Sequence, residues 1–287
     1  MRWEGRRESE NVEDRRRVSG PVAVGGGAGV ILLAIVIALL GGDPRALLQQ
    51  ANDQGAGAPA GSGLDPDQPL DPEEEKRGAF AKVVLADTED VWTELFAEKN
   101  QQYQKPNMVL FSGQVQSACG TAQAASGPFY CPGDSKLYLD TTFFRQLDEQ
   151  LGAPGDFAQA YVIAHEVGHH VQNLMGTTDK MDQLRRKVSE VEYNEYSVRL
   201  ELQADFYAGV CLHHAQRMKN ILEPGDVEEA LRAAAAIGDD TLQRRAGGHA
   251  NQESFTHGTS EQRLKWFRLG LQTGDLSKGD TFSAKTL

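Results

Sequence analysis

The residues with the clearest chemical potential lie close together, in the segment from Tyr161 to Met175. They are His165, Glu166 and His169, which form a His-Glu-x-x-His pattern. Residues i and i+4 of an α-helix share one face, so the two imidazoles can bind one metal ion. Glu166 is offset by about 100° and can reach a water at that ion without ligating it. The pattern predicts one zinc ion (Zn2+) per chain, with Glu166 as the base that activates a water.

The residues around this pattern predict a buried helix. Apolar side chains occupy most positions from Phe157 to Met175, on all sides of the predicted helix. A helix that is apolar on most sides lies inside a protein. Adjacent ionisable groups in its middle would be costly to bury without compensation, and a metal ion provides that compensation.

A third zinc ligand is expected because catalytic zinc sites usually have three protein ligands and one open position. A histidine six residues after His169 is excluded, since that position is Met175. The next predicted helix, about Lys180 to Lys219, contains Glu201-Leu-Gln-Ala-Asp205. We predict that Glu201 is the third ligand. Asp205 lies on the same helical face and is predicted to orient His165. The alternative is that Asp205 is itself the ligand. Small residues should let this helix approach the first one closely: Ala204, Ala208 and Gly209.

Composition and charge exclude some classes of protein. The net charge is −12, and no cluster of Lys and Arg lies in the body of the chain, which argues against a nucleic-acid partner. Three cysteines are too few for a small disulfide-stapled fold. A chain of 287 residues can form one sizeable domain or two small ones.

The N-terminal part of the chain predicts a membrane anchor. Residues Pro21 to Gly42 carry no charge, and as a helix they would cover about 33 Å, compared with about 30 Å for a hydrocarbon core. The arginines before them predict a cytoplasmic N-terminus. A cleaved signal peptide is the alternative, but no small-x-small cleavage site follows. The chain is predicted to consist of a cytoplasmic basic segment at 1–19, a transmembrane helix at 20–42, a flexible linker at 43–75 and an extracytoplasmic domain at 76–287.

Within that domain the patterns predict an α+β fold that is mostly helical, with a small sheet. Cys119 and Cys131 bound a loop and are predicted to form a disulfide, since neither belongs to the Cys-x-x-Cys spacing of a structural metal site. Cys211 is then a buried free thiol. The alternating segment Lys136 to Asp140 predicts a strand, either an ordinary sheet strand or the rim of a cleft where an extended peptide adds.

A further candidate lies near the C-terminus. His257 precedes a predicted helix and is expected in a loop, where residues often serve a site. We predict that it donates a hydrogen bond to the oxyanion of a tetrahedral intermediate. A packing histidine is the alternative, and three tyrosines are competing donors: Tyr193, Tyr196 and Tyr207.

Several motifs together resemble one family, the bacterial neutral zinc metallopeptidases of the YpfJ type. They are His165-Glu-Val-Gly-His-His-Val-Gln, Glu201-Leu-Gln-Ala-Asp, the Cys119 to Cys131 loop, Phe255-Thr-His-Gly-Thr-Ser-Glu-Gln-Arg263 and the N-terminal Met-Arg-Trp-Glu-Gly-Arg-Arg. The resemblance implies a gluzincin-like fold with zinc on paired helices and a neutral endopeptidase acting on proteins or peptides. With the predicted span, it implies a single-pass protein of the bacterial inner or cell membrane. In similar membrane-associated peptidases a downstream His or Arg binds the transition state, so His257 and Arg263 are expected there.

Two other functions stay open on the sequence. One is a non-hydrolytic, metal-stabilised ectodomain that binds an envelope protein or peptide. Glu166 argues against it, because a structural zinc site needs no base. The other is a zinc hydrolase of non-peptide substrates, which differs from a peptidase in substrate range.

Overall fold

Three ranges of the chain, residues 1–17, 69–123 and 127–287, are described by the computed structural model. The strands are β1 (Val12–Asp14), β2 (Asn107–Phe111), β3 (Gln114–Ser117), β4 (Gly120–Gln123), β5 (Phe129–Cys131) and β6 (Lys136–Asp140). The helices are α1 (Pro72–Glu98), α2 (Phe143–Glu149), α3 (Asp156–Leu174), α4 (Thr177–Arg185), α5 (Glu190–Lys219), α6 (Asp226–Ala236), α7 (Asp239–Arg245) and α8 (Ser260–Thr273). The described chain is therefore α+β and mostly helical, as predicted.

A small sheet flanks the helices. Its strand order is β1-β2-β6-β5, with β1, β2 and β6 parallel and β5 antiparallel to β6. The strands β3 and β4 form a separate antiparallel hairpin. Lys136 to Asp140 forms strand β6 as predicted, but β6 lies between β2 and β5 and is not the rim of a cleft. Among the described residues, β5 is the edge strand at that end of the sheet.

The helices α3, α5 and α8 form the centre of the molecule. The first of them, α3, is buried along most of its length, in agreement with its apolar sequence. It packs against α5, and α5 packs against α8. Instead of one helix from about Lys180 to Lys219, the chain forms α4 and α5, because Ser189 caps a new helix by accepting a hydrogen bond from the amide of Glu192.

Glycines set how closely these helices approach one another. A Cβ atom on Gly168 of α3 would lie 2.9 Å from the carbonyl oxygen of Ala204 on α5. The predicted close contact of α5 with the first helix is therefore present at Ala204. Gly209 serves a different contact, because its Cβ would lie 2.2 Å from the carbonyl oxygen of Phe267 on α8.

The N-terminal segment is part of the same fold. Strand β1 pairs with β2, with Val12 opposite Met108. Arg6 forms an ion pair with Asp87 of α1. Residues 12–14 of the predicted segment 1–19 therefore share a sheet with strand β2 of the predicted domain 76–287.

The predicted single-span anchor must also be corrected. In the ranges that the structure describes, no helix has both the length and the apolar character needed to cross a membrane. The predicted span at 20–42 and most of the predicted linker at 43–75 lie outside those ranges. The fold class that the described residues support is a mostly helical α+β domain.

Candidate metal centre

The structure brings the three predicted zinc ligands together. His165 and His169 lie one turn apart on α3, and Glu201 faces them from α5. The Nε2 atom of His165 lies 3.2 Å from Oε2 of Glu201, and the Nε2 atom of His169 lies 3.4 Å from Oε1. One ligand atom from each residue fits within 4.8 Å of the others. The spacing on α3 and the close approach at Gly168 together produce this convergence.

The charges of these groups are strongly coupled. Burial alone would raise the pKa of the Glu201 carboxyl, but the imidazoles of His169, His165 and His257 hold it well below its ordinary value. Burial alone would likewise lower the pKa of His169, and Glu201 raises it instead. Glu201 is therefore a carboxylate, the form that binds a cation.

Asp205 lies behind His165, where the sequence predicted it. Its Oδ1 atom is 2.8 Å from Nδ1 of His165 and accepts a hydrogen bond of 2.6 Å from the hydroxyl of Tyr161. The guanidinium of Arg263 donates to both carboxylate oxygens, through Nε and Nη2, at 2.9 Å each. Asp205 is fully buried, so this pairing with Arg263 compensates its charge.

The position of Arg263 is defined by its contacts with Asp205 and Tyr161. Its side chain is buried, and its Nη2 atom also donates to the hydroxyl of Tyr161 at 3.1 Å. The guanidinium is hydrogen-bonded to Asp205 and Tyr161, on the side of His165 away from Glu201. The structure therefore shows Arg263 as a support for Asp205, and the transition-state contact expected from the resemblance stays a prediction.

Glu166 is close to the metal centre but outside the group of converging ligand atoms. Burial raises the pKa of its carboxyl, whereas the imidazoles of His169 and His165 act in the opposite direction. The backbone amide of Tyr130, in strand β5, also lowers this pKa. A carboxyl with a raised pKa beside the ligands has the properties of a general base, because it can hold a proton during a reaction.

His257 lies in a loop that one carboxylate holds in place. Asp239, at the start of α7, accepts hydrogen bonds from the backbone amides of Thr256, His257 and Gly258 at 2.7–3.0 Å. Its other oxygen is 3.1 Å from Nδ1 of His257. Partial burial disfavours the charged imidazole, but Asp239 and Glu201 outweigh it and raise the pKa of His257. The side chain is 38% exposed, so it can contact a ligand beside Glu201.

The other predicted residues have clear positions. Cys119 and Cys131 form a disulfide with Cα atoms 5.8 Å apart, and Cys211 is a buried free thiol. Two of the competing tyrosines contact other groups, since the hydroxyl of Tyr207 points to the sulfur of Met175 and the ring of Tyr193 stacks with Arg185.

Sequence reasoning missed several residues that support the site. No role was predicted for Tyr161 or Gln172. Gln172 had a local signal, because it lies three residues after His169 on the same helical face. Asp239 had none, since its contact with His257 depends on the packing of α7 against the loop.

Comparisons with known proteins agree with this geometry. Residues 1–282 match the model of a family described as "putative neutral zinc metallopeptidase". The chain belongs to this family. It is 45% identical over 292 residues to the "Uncharacterized protein YpfJ" of Escherichia coli K12, covering 98% of this chain and 99% of that protein. It is 48% identical over 195 residues to the "Uncharacterized protein Rv2575" of Mycobacterium tuberculosis H37Rv, covering 64% of this chain and 65% of that protein. No solved structure matches the chain.

The residues present fit the zinc ion that the family implies. Nδ1 of His165 is engaged by Asp205 and Nδ1 of His169 by Gln172, which leaves both Nε2 atoms facing Glu201. Two imidazole nitrogens and one carboxylate are a donor set found in catalytic zinc sites of peptidases. Three protein ligands leave one coordination position for water or substrate.

Proposed function

We propose that the protein is a zinc-dependent endopeptidase in which His165, His169 and Glu201 hold the metal ion. The observation that carries this proposal is the convergence of these three side chains, with Glu166 beside them and outside the ligand group. When bound, zinc supplies a Lewis acid that polarises the scissile carbonyl and makes water a stronger acid. The chain's own residues perform the proton transfers and hold the reacting groups.

Glu166 takes the proton of the attacking water and later gives it to the leaving amine. Burial raises the pKa of its carboxyl, and a raised pKa makes the carboxylate a stronger base, which favours the first of these transfers. The backbone amide of Tyr130 and the imidazoles limit this rise, so that the carboxylate form remains accessible. Asp205 keeps the ring of His165 oriented through their 2.8 Å contact.

His257 is the proposed donor to the oxyanion of the tetrahedral intermediate. Its Nδ1 atom faces Asp239, which leaves Nε2 available for a substrate oxygen. Its raised pKa favours the protonated imidazole, the form that donates most strongly. The three amide hydrogen bonds to Asp239 keep the loop, and with it the ring, in place.

An extracytoplasmic location is proposed as well. Disulfides persist in oxidising compartments and are rare in the reducing cytosol. The disulfide between Cys119 and Cys131 supports this location.

The test is cleavage of a mixed peptide library by the purified chain with zinc, compared with Glu166→Gln. This substitution keeps the size and removes the base, so we expect a loss of about 10²- to 10⁴-fold in rate with zinc content unchanged. The matched control is Glu195→Gln, the same change at an exposed position of α5, which should keep full activity.

The outcomes separate the candidate functions. Cleavage that disappears in Glu166→Gln supports a peptidase and reveals its sequence preference. Bound zinc without cleavage of peptides, esters or amides would indicate the non-hydrolytic binding role. Hydrolysis of small esters or amides without peptide cleavage would indicate a non-peptide hydrolase.

A further inference from the structure

A chain of two side-chain amides leads from the second histidine into the protein. Nδ1 of His169 lies 2.9 Å from Oε1 of Gln172. The amide nitrogen of Gln172 donates to the carbonyl oxygen of Leu200 at 2.7 Å and to Oε1 of Gln203 at 3.2 Å. The amide nitrogen of Gln203 donates in turn to the carbonyl oxygen of Gly279 at 3.0 Å. The two glutamines are 1% and 8% exposed, so water competes little with these contacts.

The two backbone carbonyls fix the direction of this chain. A carbonyl oxygen can only accept, so Leu200 and Gly279 require the amide nitrogens of Gln172 and Gln203 to face them. Reversal of the Gln172 amide would place its oxygen against the oxygens of Leu200 and Gln203 and leave buried acceptors without donors, at considerable cost. The oxygen of Gln172 must therefore face His169.

We propose that Gln172 is a positioning residue for His169, held in one orientation by Gln203. Because Oε1 of Gln172 can only accept, Nδ1 of His169 must carry the hydrogen. The lone pair of the neutral ring is then on Nε2, the atom that faces Oε1 of Glu201 at 3.4 Å. The amide chain selects the tautomer and the ring orientation that a metal ion needs.

The two histidines thus have partners of different charge. His165 faces Asp205, whose charge Arg263 compensates, whereas His169 faces a neutral amide. A second carboxylate at position 172 would add an uncompensated negative charge to a buried centre that already contains Glu201. Glutamine supplies the required acceptor without that charge.

This inference rests on the proposed ligand set and is independent of peptide hydrolysis. The test is the zinc dissociation constant of Gln172→Met, measured by competition with a chelator. Methionine keeps the length of the side chain and removes the acceptor, so we expect zinc to bind about 10- to 100-fold more weakly. Gln203→Met, which leaves the acceptor but frees it to rotate, should have a smaller effect in the same direction. The matched control is Gln183→Met on the exposed side of α4, with unchanged affinity.

A spectroscopic measurement distinguishes positioning from packing. In the zinc-loaded protein with 15N-labelled histidine, the hydrogen on Nδ1 of His169 should give a protected downfield proton resonance. Gln172→Met should lose this protection while circular dichroism stays native.

The inference fails if folded Gln172→Met binds zinc like the wild type, if the proton stays protected, or if Gln183→Met weakens zinc binding equally. If Gln172→Met does not fold, Gln203→Met decides the question by the same two measurements. A wild type that binds zinc without cleaving peptides would refute the proposed hydrolysis and leave this inference standing.

Discussion

The buried pair of Asp205 and Arg263 allows a strong prediction about stability. Asp205 is fully buried and Arg263 is 2% exposed, and the guanidinium donates two hydrogen bonds of 2.9 Å to the carboxylate. The variant Arg263→Met keeps most of the side-chain volume and removes the guanidinium that donates these two hydrogen bonds to the carboxylate. Removing one partner of a buried pair costs about 3–5 kcal/mol. The free energy of unfolding of a domain is only about 5–15 kcal/mol, so a large part of it should be lost.

The assay is urea unfolding of the metal-free protein, followed by tryptophan fluorescence. Asp205→Asn should also be costly, because it leaves Arg263 buried without an anion. The double variant removes both charges and should lose less than the sum of the single losses, by about 1–3 kcal/mol. The matched control is Arg268→Met on the exposed side of α8, which should change the unfolding free energy by less than about 0.5 kcal/mol. A loss below about 1 kcal/mol in Arg263→Met, or strict additivity in the double variant, would refute the reasoning.

Three further predictions concern pH, helix packing and the disulfide. Burial disfavours charged His165, but Asp205 and Glu201 raise its folded pKa to about 10. The protonated His165 should therefore stabilise the metal-free protein fully below about pH 6.5, the unfolded pKa, and this stabilisation should be lost as pH rises towards 10. Zinc affinity should rise over the same range, because zinc binds the neutral imidazole. Urea unfolding and chelator competition across pH check this, and a zinc affinity independent of pH would contradict it. Gly168→Ala brings a methyl group to 2.9 Å from the carbonyl oxygen of Ala204, so α3 and α5 must separate. Zinc should then bind more weakly, as measured by competition with a chelator. An unchanged zinc affinity would exclude a tight contact between the two helices. Cys119 and Cys131 are 12 residues apart, and replacing both by serine should lower the unfolding free energy in urea by about 3 kcal/mol. Reductant should not destabilise this variant further. If reductant lowers the unfolding free energy of the variant by the same amount, the disulfide is not the cause.

The centre of the site could be predicted because its signals are local. The spacing of His165 and His169 on one helix, and of Glu201 and Asp205 on another, fixes which side chains share a face. The role of Arg263 could not be predicted in this way. A buried arginine pairs with whichever carboxylate the packing of α8 against α5 presents, and that choice depends on close contact at Gly209 and Gly270. The resemblance predicts Arg263 at the transition state, and the pairing with Asp205 is what tertiary packing adds.

The N-terminal segment had no local signal either. Val12, Glu13 and Asp14 form a strand of three residues with two acidic side chains, which no periodicity would identify. The strand exists because β2 offers it a free edge, and the arginines around it find acidic partners on α1. The same arginines, considered without the fold, indicated the cytoplasmic side of a membrane.

Strand β6 shows why a strand can be predicted correctly while its place in the sheet stays open. Alternation in Lys136 to Asp140 tells which side chains pack on each face, but the edges of a strand are made of backbone, which is alike in all residues. A more useful signal was in the flanks of β5, where Pro128 and Pro132 lack amide hydrogens, as is typical of an edge strand. In the described part of the sheet β5 is that edge, and the amide of Tyr130 already lies beside Glu166. An extended peptide that added to β5 would find few free amide donors there, so β5 is better suited to hold the base than to bind the substrate along its backbone.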